Sequence, residues 1–97
     1  MSDELNVRVE RGEDRYEVFL DDVPAGFTAF YTDEEGRTVF PHTQVDPAFK
    51  GHGVASILVE RALEDEAKRG ETIVPLCPFV AKYLREHEVP GLKVAWP

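Results

Sequence analysis

Hydrophobic and polar residues alternate through the first half of the chain. Leu5, Val7 and Val9 stand between polar neighbours, the period of a strand with one buried face. Arg11-Gly12-Glu13-Asp14 reads as a turn, and Tyr16, Val18 and Leu20 resume the alternation. Asp21-Asp22-Val23-Pro24 punctuates the chain again. A third strand is expected through Phe27, Ala29 and Tyr31, closed by Asp33-Glu34-Glu35-Gly36, and a fourth from about Arg37 to Val45. Pro41 interrupts the fourth. Proline donates no ladder hydrogen bond, so a bulge or an unpaired edge is expected there.

After Asp46-Pro47 the period lengthens. Val54, Leu58 and Ala62 recur every fourth residue, as do Ala55, Val59, Leu63 and Ala67, and together they make one broad apolar helix face. Lys68 and Arg69 suit the negative end of that helix, and Gly70 suits the position just past it. Thr72-Ile73-Val74 reads as a short buried strand. Pro78 suits the first position of a second helix that reaches about His87, with Phe79, Val80, Tyr83 and Leu84 inward. Leu92, Val94 and Trp96 alternate in the tail. The order is ββββ-α-β-α. A helix crossing between the fourth and fifth strands implies that these two run parallel in an otherwise mostly antiparallel sheet, an α+β (α/β) domain.

The chain of 97 residues fits one domain, residues 1–97. A single cysteine excludes an internal disulfide and a Cys-rich zinc site and suits a reducing, cytoplasmic setting. The three histidines show no metal-ligand spacing, so no metal is expected. No apolar run is long enough to span a membrane, and the acidic start Met1-Ser2-Asp3-Glu4 is unlike a signal peptide. A monomer or at most a weak dimer is expected. The net charge of −8 lies wholly in residues 1–35, which hold eleven acids and three bases. Without a clustered basic face, nucleic acid is not an expected partner. The acids either keep a small protein soluble or draw a cationic substrate. Phe27, Phe30, Phe40, Phe79 and Trp96 are expected in the core or against a ligand rather than as a nucleic-acid stacking platform.

Lys50-Gly51-His52-Gly53-Val54-Ala55 lies between a strand end and the start of the amphipathic helix. The first amides of a helix have no internal partners and sit at the positive end of its dipole. Two glycines let the backbone turn tightly, so the segment can hold an anion, with Lys50 adding a cation; a glycine-containing loop that merely starts a helix is the plainer alternative. It lacks the G-x-x-x-x-G-K-[ST] of a nucleotide-triphosphate loop and the third glycine of a dinucleotide fingerprint.

His42-Thr43-Gln44-Val45, Phe49 to Ala55, Val74-Pro75-Leu76-Cys77-Pro78-Phe79-Val80 and Tyr83 to His87 together resemble the GNAT acetyltransferase superfamily, most closely its small stand-alone, Yjdj-type branch. The resemblance covers about Phe40 to Leu92. It implies a minimal GNAT fold in which strands four and five splay and acetyl-CoA enters the gap. It places Lys50, Gly53 and Ala55 on the pyrophosphate motif [R/Q]-x-x-G-x-[G/A], with Lys a mild departure. Cofactor contacts are then expected at Gln44, Val45, Lys50, Gly51, His52, Gly53, Val54, Ala55, Pro75, Cys77 and Phe79. Pantetheine would pair with the strand edge around Gln44 and Val45. A usual member of the superfamily runs longer and places helices between its first two strands, where only the turn Arg11–Asp14 stands here.

The implied activity is acetyl transfer from acetyl-CoA to an amine. A non-catalytic acyl-CoA-binding or protein-interaction module on the same fold is the alternative. Three residues are candidates for the chemistry. Cys77 precedes Pro78 at the helix cap, where helix-end amides favour a thiolate, and is either an acetyl acceptor or a small packed residue. In the superfamily a tyrosine on the corresponding helix protonates the departing thiolate, a role open to Tyr83, which is otherwise a half-buried aromatic. Many relatives hold a carboxylate base on the fourth strand. Gln44 cannot titrate, whereas His42, on the same strand face, can; a structural histidine is the alternative.

Overall fold

A computed structural model describes residues 6–49, 51 and 53–97. Leu5, expected to open the first strand, lies outside them. β1 (Val7–Arg11), β2 (Arg15–Leu20) and β3 (Val23–Ala29) form an antiparallel meander. Gly12 N–H donates to the Arg15 carbonyl at 2.7 Å in the first turn. Asp21 and Asp22 carry φ of 50° and 68°, a pair of left-handed residues whose twist suits a two-residue hairpin. Val23 and Pro24 therefore already belong to β3, not to the turn.

The third strand departs from simple alternation. Its core-facing residues are Ala25, Thr28 and Phe30, while Phe27 and Ala29 are half-buried and Tyr31 is exposed. Val18 pairs with Gly26 but Phe19 with Pro24, which leaves Ala25 as an extra residue. Such a bulge reverses the face of everything beyond it. Phe27 is thus not in the core: it lies on the outer face beneath the Arg15 guanidinium, 4.3 Å from the ring centre. Trp96 also departs from expectation, half-exposed with Arg85 5.8 Å from its ring.

Pro41 breaks the fourth strand in two. β4 (Tyr31–Thr32) pairs antiparallel with β5 (Thr38–Phe40), which runs parallel to β7 (Thr72–Pro75). Beyond the proline, β6 (Thr43–Val45) pairs with β3 instead. The strands therefore hydrogen-bond in two sets, β1-β2-β3-β6 and β4-β5-β7-β8, where β8 (Lys93–Val94) adds to β7 in parallel. The parallel fourth and fifth strands and the splay between them are both present: β5 touches β7, and β6 leaves it.

α1 (Val54–Lys68) buries Val54, Leu58, Val59, Ala62 and Leu63 against the inner face of the first set. Its end is a Schellman turn: Gly70 (φ 73°) donates to Ala67 O at 3.1 Å and Glu71 to Glu66 O at 3.1 Å. α2 (Pro78–Glu86) begins at Pro78 as expected and buries Val80, Ala81 and Tyr83. Glu66, the next residue in the i+4 row of Val54, Leu58 and Ala62, is fully buried. Its Oε2 meets the Tyr16 hydroxyl at 2.5 Å, and that hydroxyl also lies 2.8 Å from Asp65 Oδ2 and accepts from Arg11 Nε at 3.2 Å. Burial, reinforced by the Glu66 and Asp65 carboxyls, pushes the Tyr16 phenol far above its ordinary range. Among the described residues, no helix is long and apolar enough to cross a membrane.

Candidate functional site

The site grows from the break at Pro41. The last bond between the diverging strands joins Cys77 N–H to the Phe40 carbonyl at 2.7 Å. Beyond it, among the described residues, β6 pairs on one side only, with β3, and its other edge is free. Ala29 N–H donates to His42 O and Asp46 N–H to Ala25 O, both at 2.8 Å. In an antiparallel ladder alternate residues bond to the same neighbour, so His42, Gln44 and Asp46 turn their backbone toward β3. Thr43 and Val45 turn theirs to the free edge. Of the two residues expected to meet pantetheine, Val45 offers edge groups and Gln44 does not. The second edge residue is Thr43.

Side chains alternate too. Gly26 and Thr28 pair with Val45 and Thr43 on the inner face toward α1. A Cβ on Gly26 would lie 2.6 Å from the Gln44 carbonyl oxygen, so the close approach of β3 to β6 requires glycine. Thr43 Oγ1 lies 2.8 Å from Thr28 Oγ1 and accepts from Cys77 Sγ at 3.3 Å. Cys77, buried at the cap of α2, thus reaches across the splay to β6. His42 and Gln44 share the opposite, outer face: His42 Nε2 is 3.4 Å from Gln44 Oε1, and its ring meets Phe27 edge-on at 5.9 Å. His42 and Cys77 therefore stand on opposite faces of β6. A cleft of about 220 Å³ on the outer side is lined by Glu17, Phe27, Gln44 and Asp46, among others.

Tyr83 lies six residues beyond Cys77, about 9 Å further along α2 at the helical rise. It is buried and stacks on His87 at 4.4 Å. Burial raises its phenol, and the carboxylates of Glu60 and Glu64 on α1 raise it further. It stays a protonated donor at neutral pH, on the α1 side rather than beside the sulfur.

The turn into α1 runs through a short 3-10 segment, Pro47–Phe49, held by Asp46 Oδ1 accepting from Ala48 N–H at 2.9 Å. Gly51 and Gly53 have φ of 86° and 70°, a region that side-chain-bearing residues avoid. Gly53 caps α1 with no side-chain hydrogen bond, so among the described residues no side chain caps the first amides of α1. Lys50 and His52 lie outside the described residues. Pro75 is buried opposite Phe40, and Phe79 is half-buried against the core.

Thr43 and Thr28 are the residues that the sequence reading passed over. The signal was present: if 42 and 44 share one face, 43 and 45 must share the other, facing the gap.

No curated protein matches the chain. A family model described as GCN5-related N-acetyl-transferase matches residues 15–90, from the start of β2 to just beyond α2. That span holds the parallel β5–β7 pair, the splayed β6, the uncapped start of α1 and the Cys77 junction. With most of its length matched, and the matched part folded around a gap between parallel strands, the chain belongs to the GCN5-related N-acetyltransferase family.

Proposed function

We propose that the protein is an acetyl-CoA-dependent N-acetyltransferase of the small stand-alone, Yjdj-type branch, acting on an amine. The observation that carries this is the free edge of β6 facing the Cys77 junction. Edge groups at Thr43 and Val45 suit the amides of a pantetheine arm, which would complete the ladder as an added strand. The first amides of α1, with Gly51, Gly53, Val54 and Ala55 around them, suit a pyrophosphate, and Lys50 and His52 add donors by sequence. Pro75, Cys77 and Phe79 flank the gap. When bound, acetyl-CoA supplies an activated acetyl thioester.

The chain's own residues would do the rest. The outer cleft admits the amine, with Glu17 to attract its cation and Phe27 as an apolar wall. His42 stands on that face to take the proton that an ammonium must lose before it can attack. Tyr83 keeps its phenol protonated as a donor for a leaving thiolate, provided that α2 brings it closer to the gap.

Calorimetric titration with acetyl-CoA tests the reading: saturable binding at micromolar ligand is expected, and no heat at high micromolar ligand would sink it. The separation of His42 and Tyr83 from Cys77 favours a second reading, a module on this fold that binds acyl-CoA without turnover. Thiol release with a panel of amines separates the two. Binding without release under any acceptor would favour the module.

A further inference from the structure

Thr43 serves the gap twice. Its backbone faces the free edge, and its hydroxyl joins Cys77 to Thr28, with Sγ 3.3 Å and the second hydroxyl 2.8 Å away. Thr28 is 1% and Cys77 4% exposed, so bulk water competes little for these bonds. A hydroxyl both donates and accepts. With the sulfur protonated, Cys77 donates to Thr43 and Thr43 to Thr28. With the sulfur ionised, both hydroxyl protons turn about: Thr28 donates to Thr43, and Thr43 to the sulfur. The sulfur has a hydrogen bond in either state without movement of a heavy atom. Packing alone does not require two hydroxyls directly opposite one another across β3 and β6.

We propose that Thr43, backed by Thr28, is the positioning residue that makes Cys77 an acetyl acceptor, an inference that rests on the gap being the acetyl-CoA site. The step is a thiol–thioester exchange. The Cys77 sulfur bonds to the acetyl carbon, the bond from that carbon to the CoA sulfur breaks, and the proton lost by Cys77 ends on the CoA thiol. An amine then bonds to the acetyl carbon, the bond to Cys77 breaks, and the amine's proton returns to the cysteine.

The chain holds one cysteine, so every thiol label reports on Cys77. Thr43→Val keeps the branched shape and removes the hydroxyl, and Thr43→Ser restores it. Two rates are measured: alkylation by iodoacetamide, and the gain of one acetyl group from acetyl-CoA by intact mass. Thr43→Val should slow both about tenfold, the size of one hydrogen bond to a charged group. Thr43→Ser should stay within about twofold of wild type, which a purely structural loss would not permit. Thr28→Val removes only the backing hydroxyl and should slow both about threefold, so the idea is tested even if Thr43→Val fails to fold. Equal iodoacetamide rates in wild type and either valine variant would overturn the positioning role. Acetyl-CoA that binds but leaves no acetyl group on Cys77 would overturn the acceptor role alone. Acetyl-CoA that neither binds nor labels, while iodoacetamide still separates the variants, would overturn both the acceptor role and the acetyl-CoA reading of the gap.

Discussion

Removing one hydroxyl far from the gap tests how α1 is held to the sheet. Tyr16→Phe deletes the group that meets Glu66 Oε2 at 2.5 Å. Glu66 is fully buried, and its other oxygen already has no hydrogen-bond partner. After the substitution the carboxyl group keeps only Arg11 Nε, 3.8 Å away. Losing a hydrogen bond and stranding a buried acceptor costs about 1–3 kcal/mol, more where charge is involved, so about 3 kcal/mol is expected. That is a large share of the roughly 5–10 kcal/mol that holds a domain of this size together. With a urea m-value of about 1.5 kcal/mol/M, the midpoint should fall by about 2 M. The paired variant Tyr16→Phe with Glu66→Met removes donor and acceptor together and should recover most of the loss. The assay is urea unfolding followed by circular dichroism. A Tyr16→Phe midpoint within about 0.3 M of wild type, or a double variant no more stable than the single, would refute the reasoning.

Other expectations follow from the same geometry. Gly26→Ala puts a methyl 2.6 Å from backbone oxygen on β6; a loss of about 2 kcal/mol, about 10 °C in melting temperature, and weaker acetyl-CoA binding are expected, and an unchanged melt would contradict it. Gly53→Ala meets no atom but must hold φ near 70°, so it should cost about 1 kcal/mol in urea unfolding while raising the acetyl-CoA Kd several-fold by calorimetry. Burial holds the Tyr16 and Tyr83 phenols above their ordinary range, so the folded chain keeps these protons longer than the unfolded one. Their contribution is full below about pH 10 and is lost as pH rises through the folded values; urea midpoints from about pH 8 to 11 should fall, and a rise would contradict the burial. Raising salt from about 50 to 500 mM should change an amine acceptor's KM by less than about threefold, because two carboxylates, Glu17 and Asp46, rather than a broad acidic field line the outer cleft.

Local pattern carried most of the fold. Alternation marked β1 and β2, the longer period marked α1, and the chemistry of Pro78 and Gly70 set helix ends that hydrogen bonds confirm. What escaped was non-local. The bulge at Ala25 is a relation between β2 and β3, and nothing in Val23–Ala29 alone announces it. Glu66 stands in the apolar row of Val54, Leu58 and Ala62, but the hydroxyl that receives it there belongs to Tyr16, 50 residues away. Pro41 signalled a break, but only pairing shows that the two halves join different partners. Much the same holds at the site. The glycine loop and Cys77 were legible from local chemistry, whereas the Thr43–Cys77 contact spans 34 residues and depends on the splay.

The acidic first third also changes meaning once its partners are known. Arg8 pairs with Glu10 at 3.1 Å and Asp22 at 3.6 Å, Arg15 with Asp14 at 3.1 Å, and Arg37 with Asp33 at 2.8 Å. Arg11 turns inward to Asp65 and Glu66. Among the described residues up to Gly36, the acids outside any ion pair are Glu13, Glu17, Asp21 and Glu34. Glu13 and Glu34 lie in turns, and Asp21, in the hairpin at the far end of β2, spends its carboxylate on Asn6 N–H at 3.0 Å. Charges scattered in this way sum to solubility, not to a focused field. Glu17 is the exception. Register sets it in one row with Phe27 and Gln44 across the outer face, two strands in from the β6 edge, where it lines the outer cleft. An amine reaching the gap from this face would meet that carboxylate beside a ring that already carries the Arg15 guanidinium, so the carboxylates rather than the ring would draw it. Recognition of the acceptor would then rest on two local carboxylates, Glu17 and Asp46, and not on the net charge of the chain.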